Sequence, residues 1–75
     1  MEALIDRARI GVLKFVSDRG GSAGLGDIHE FSEKKFLIMH QGFSRLMEGL
    51  VSEGLIDFNP TSNTASLTTA GQEKI

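Results

Sequence analysis

The chain has no cysteine, no tyrosine, a single proline and eight basic residues against ten acidic ones. Without cysteine there is neither a disulfide framework nor a thiolate metal site, which suits a reducing compartment, and a cytoplasmic protein is expected. No apolar run approaches the roughly 20 residues of a membrane span, and the N-terminus lacks the charged, apolar, small-residue series of a signal peptide. No membrane association is expected. Catalysis is poorly provided for. There is no cysteine nucleophile, no glycine-rich motif ending in lysine, and no histidine that spacing ties to a serine and an acid. A chain of 75 residues also leaves little room for a substrate pocket enclosed by its own core, so neither an enzyme nor a cofactor is expected.

That length corresponds to one domain, residues 1–75, with a small core. Domains of this size are marginal by surface-to-volume scaling and often take support from a partner subunit, so a homodimer is expected. The net charge is 8 − 10 = −2, unevenly distributed. Residues 1–35 hold six bases and six acids, whereas residues 36–75 hold only Arg45 and Lys74 against Glu48, Glu53, Asp57 and Glu73.

The most informative stretch is Gln41 to Ile56. At 100° per residue, Phe43, Leu46, Met47 and Leu50 share one arc, and Gln41, Ser44, Arg45, Glu48 and Ser52 lie opposite. This predicts a helix with one packed and one polar face. Gly54 stands where a helix closes in the left-handed conformation, and Leu55, Ile56 and Phe58 begin a strand.

Upstream, Leu4, Ile5, Ala8, Val12, Phe15 and Val16 have amphipathic spacing and predict a helix over Ala3 to Arg19, with acids near its start, bases toward its end, and Gly20-Gly21 as its stop. Ile10 falls off that stripe, leaving a side for a second helix or a partner to cover. Gly20 to Gly26 reads as a connection anchored by Leu25, because it lacks the Gly-Lys-Ser/Thr ending of a phosphate loop. Asp27 is expected to open a second helix with Ile28 and Phe31 inward, ending between Glu33 and Phe36. The segment Lys34 to Met39 can extend the third helix backward from Ser32 or form a turn. The turn is preferred because it lets Leu37 and Ile38 plug the gap between helices. Asn59 to Thr64 is a polar turn, Ala65 to Thr68 a return strand, and Thr68 or Thr69 the cap of a short final helix. The core is expected to contain Phe15, Ile28, Phe31, Phe43, Leu46, Leu50 and Leu67. The fold class is mainly α with a small β-hairpin, α+β.

Two motifs carry a resemblance. Leu50-Val51-Ser52-Glu53-Gly54-Leu55-Ile56 resembles the end of the recognition helix and first wing strand of winged helix-turn-helix regulators. Leu67-Thr68-Thr69-Ala70-Gly71 resembles the leucine-threonine-x-x-glycine closing the wing in the MarR-like and PadR-like groups. The resemblance implies a winged helix with a three-helix core and a two-stranded wing, binding double-stranded DNA as a small transcriptional regulator. It places His40, Gln41, Ser44 and Arg45 at a major groove, and Lys34 and Lys35 where backbone phosphates pass. Glutamine pairs two-fold with adenine and arginine with guanine. The wing departs from the family in carrying no base between Gly54 and Gln72.

Plainer readings stand beside these. Arg45 and Glu48, three apart on a helix, can pair in solvent for about 0.2–0.5 kcal/mol. His29, Glu30 and Glu33 resemble a fragment of a zinc helix, but Glu33 stands where the second histidine belongs, and no metal is expected. A winged-helix module for protein contacts is the alternative to a DNA reader, and under it an acidic balance and a neutral wing are what one expects.

Overall fold

The computed structural model describes residues 2–75, with side chains from Arg7 onward, so the packing expected of Leu4 and Ile5 lies outside the described side chains. Four helices and three strands follow in the order α1 (Glu2–Asp18), β1 (Ser22–Gly24), α2 (Leu25–Phe36), α3 (His40–Ser52), β2 (Ile56–Asn59), β3 (Thr64–Leu67) and α4 (Thr69–Lys74). The strands form one antiparallel sheet in the order β1-β3-β2. The expected hairpin is present with Ile56 opposite Leu67 and Phe58 opposite Ala65. It is not a two-stranded unit, however. Ser22 to Gly24, read as part of a connection, pairs with Ser66 to Thr64 and makes β3 the central strand. Three residues that follow Gly20-Gly21 and themselves end in Gly24 give too little alternation to read as a strand, and the pairing comes from the hairpin supplying an edge.

The α1 stripe packs as its spacing predicts, with Ala8, Val12 and Val16 fully buried. Leu13, absent from that stripe, is fully buried as well. It widens the packed face, because α1 meets α2, α3, α4 and the sheet rather than one neighbour. Ile10 is half-buried in a cleft with Leu13, Leu55 and Lys74, so the terminal helix α4 partly covers that side. On another flank, the Phe36 ring lies against Gly11 so closely that a β-carbon there would overlap it. The expected run of bases toward the end of α1 is not realised. Its last turn has none, and Arg19 lies just beyond, over the Phe15 ring at 4.8 Å.

Helix α2 begins at Leu25, two residues before the expected Asp27, which lies in its first turn. Gly24 caps it without a side-chain bond, and the Leu25 N–H donates to the Asn63 carbonyl in the hairpin at 2.9 Å. The hairpin thus fixes where α2 starts. Phe31 stacks on Phe15 at 4.5 Å and meets Phe36 edge-on at 5.9 Å, joining α1 to α2. Phe15, Phe31 and Leu67, expected as core, are only partly buried, because the aromatic cluster lies at the margin of a core centred on Val12, Leu13, Ile28, Leu50 and Ile56.

Ser32 is fully buried, and its hydroxyl has no hydrogen-bond partner among the described residues. An unpaired buried hydroxyl carries a desolvation penalty, and removing it relieves that penalty. Ser32→Ala is therefore expected to raise stability by about 1 kcal/mol. A urea midpoint that falls instead would show that the hydroxyl has a partner.

Helix α3 ends as the sequence predicts. Gly54 has φ 75, its N–H donates to the Val51 carbonyl at 3.0 Å, and the Leu55 N–H donates to Leu50 at 2.9 Å. These two bonds turn the chain from α3 into the sheet. Leu55 is buried but lies before β2 rather than in it. Thr68 caps α4 by accepting from the Gly71 N–H at 3.0 Å, and its hydroxyl donates to the Gly54 carbonyl at 2.6 Å, tying the last helix to the α3–β2 corner.

Candidate nucleic-acid interface

The α2–α3 pair is held by packing, and its outward side is left open. Phe43, Leu46, Met47 and Leu50 are buried on the inner arc of α3, while His40, Gln41, Ser44, Arg45, Glu48 and Ser52 are exposed on the outer one. Four of the six candidate residues therefore lie together on the first two turns of α3. Lys34 and Lys35 are exposed in the last turn of α2, separated from α3 by the turn Leu37 to Met39.

Their electrostatic states differ. Lys34 Nζ is 3.1 Å from Glu30 Oε2 one turn earlier, an exposed pair that reduces its availability to a phosphate by only about 0.3–0.5 kcal/mol. Lys35 and Arg45 make no ion pair among the described residues. The pairing of Arg45 with Glu48 anticipated from their spacing is accordingly not formed. His40 opens α3, and its ring centroid is 5.7 Å from that of His29, which meets Phe43 edge-on at 4.7 Å. His40 is thus partly engaged in the contact between the helices, and of the first-turn residues Gln41 is the freer one. No group of three or more potential metal ligands occurs among the described residues. None of the described helices is long and apolar enough to cross a membrane.

The hairpin contributes little charge. Its turn, Asn59 to Asn63, is held by the Asn59 side chain accepting from the Thr61 N–H at 2.9 Å, and it exposes only neutral polar groups and Pro60.

Two features of this side were not anticipated. Leu37, expected to plug the space between the helices, is 78% exposed, and Met39 is 65% exposed. Ile38 alone packs on the core from this turn. The reason is backbone geometry: Leu37 adopts φ 57, its N–H donates to the Glu33 carbonyl at 3.0 Å and the Ile38 N–H donates to the Ser32 carbonyl at 3.3 Å, which swings the Leu37 side chain outward. The second feature is an open apolar groove of about 510 Å³ between α3 and the hairpin, lined by Leu25, Phe43, Met47, Val51 and Phe58, with Ser44, Glu48 and Ser52 along its rim. Val51 on an otherwise polar arc and Phe58 two residues after Ile56 are the sequence signals that could have located it.

No protein-family model, characterised protein or solved structure matches the chain.

Proposed function

We propose that the chain is a winged helix-turn-helix protein that reads the major groove of double-stranded DNA with α3, acting as a small transcriptional regulator. The carrying observation is that Gln41, Ser44 and Arg45 stand exposed on one face at the start of α3, with Lys35 and Lys34 just across the turn. The element order, with β1 completing a sheet on the hairpin, agrees with a winged helix and positions the hairpin beside α3. In this reading Gln41 contacts an adenine edge, Arg45 a guanine or a phosphate, Ser44 a base edge or phosphate, and the two lysines the backbone. His40 orients the start of the helix against His29.

The test is Arg45→Ala measured on a selected duplex. It is expected to lose about 1–3 kcal/mol of specific binding, whereas Lys35→Ala weakens all sequences alike and lowers the salt slope by about one. An Arg45→Ala protein that binds its selected site as the parent does would remove α3 as the reader.

One observation favours a second reading, a winged-helix module for protein contacts. The groove beside α3 is apolar and the one charged residue on its rim is Glu48, which repels a phosphate backbone. Under this reading the isolated domain ignores duplex DNA in low salt, and replacing Glu48 or Ser52 matters as much as replacing Arg45.

A further inference from the structure

Leu37 is held in an unfavourable state twice over. Its side chain is 78% exposed, and its backbone has φ 57, where a residue with a β-carbon costs roughly 1–2 kcal/mol and glycine is the usual occupant. Met39, two residues on, is 65% exposed. The turn between α2 and α3 is thus an apolar knob preceded by Lys34 and Lys35. Along α3 from Phe43 to Ser52 lies the unfilled groove, closed by Leu25 and Phe58, whose charged rim residue is Glu48. Glu48 makes no ion pair among the described residues, and the chain has no base from residue 46 to residue 72. Knob and groove match in polarity and carry opposite charge.

We propose that the groove is a docking site for a second copy of this chain, which inserts its own Leu37–Met39 turn. The turn precedes the first residue of the 13-residue helix α3, and the groove runs along that helix to its last turn at Val51 and Ser52. Met39 and Val51 are separated by about 18 Å along the α3 axis at 1.5 Å per residue. Two α3 helices running antiparallel about a two-fold axis near Arg45 therefore place each turn opposite the other's groove. Such an isologous contact closes at two chains and does not propagate. Around that axis the two Arg45 side chains face one another, each within one helical turn of the other copy's Glu48, which offsets their repulsion, and Gln41 and Ser44 complete the seam. The contact uses the outward face of α3, so the self-associated form cannot present that face to DNA. The proposal itself does not rest on DNA binding and is read without nucleic acid.

The experiment is sedimentation velocity of the full chain from low micromolar to submillimolar concentration. The parent is expected to move from the 8.1 kDa species toward twice that mass. Leu37→Gly removes the knob where glycine is the favoured residue, so its melting temperature holds or rises while self-association weakens about tenfold or more. Glu48→Lys weakens it too, and adding Lys35→Glu to Glu48→Lys recovers part of the loss. Three results would overturn the proposal: a parent that stays at 8.1 kDa throughout, a Leu37→Gly protein that associates like the parent, or a charge swap no better than Glu48→Lys alone. A parent that remains monomeric yet cosediments with phosphatidylserine vesicles through Leu37 would reassign the knob to a lipid surface and equally end the proposal.

Discussion

Leu50→Ala is expected to cost about 2–5 kcal/mol, the range for truncating a buried leucine that leaves a cavity. Leu50 is fully buried on α3, in the cluster that includes Val12, Leu13, Ile28 and Ile56. A chain of this length has a total stability of about 4–11 kcal/mol at the usual stability per residue. The substitution therefore removes a large share of it, and a substantial unfolded fraction is expected on warming. The neighbouring Val51→Ala, at an exposed position, should stay within about 0.5 kcal/mol. Urea midpoints of the two variants measure this, and equal midpoints would mean that α3 does not pack on the arc assigned to it.

Gly71→Ala should be the second largest, and its sign is the informative part. Within a helix, alanine normally stabilises by about 0.8–1 kcal/mol relative to glycine. Here a β-carbon at Gly71 would overlap the Leu55 carbonyl oxygen and approach Leu67 Cδ1 to 2.8 Å. The carbonyl belongs to the corner between α3 and β2 and cannot yield as a side chain can, so α4 must lift away. Overpacking of this kind costs about 1–3 kcal/mol. The lifted helix also strains the Thr68 hydroxyl's bonds to Gly71 and Gly54. A thermal melt that shifts upward in Gly71→Ala would show that α4 is not docked there.

The leucine-threonine-x-x-glycine stretch is thus accounted for by packing: threonine caps the helix and glycine lets it touch the corner. What the sequence made legible is what local chemistry determines alone. The packed arc of α3, Gly54 as its stop and Thr68 as a cap each depend on residues within a few positions of one another. What was not legible depends on distant partners. Strand β1 exists because β3 lies beside it, and α2 starts at Leu25 because its N–H reaches the carbonyl of Asn63, 38 residues later. Leu37 is the case where residue type misleads. An apolar residue between two helices suggests a plug, but a left-handed backbone at the end of α2 turns it to solvent. The exposure of the six candidate residues was legible, because each lies off the packed arcs of α2 and α3. The groove beside it was not, because it needs Leu25, Val51 and Phe58 from three separate elements.

The central claim, that α3 meets DNA, is tested most directly by titrating labelled duplex fragments at two salt concentrations, with protein kept below the range of self-association. Three bases lie on the proposed interface, Lys34, Lys35 and Arg45. With three counterions released per chain, the affinity should fall by about 40-fold between about 50 and 200 mM salt, far less than the 10³–10⁵ of a protein making six to ten phosphate contacts. Saturable binding at the lower salt with that shallow decline is the predicted result. Absence of binding at both concentrations would contradict the account.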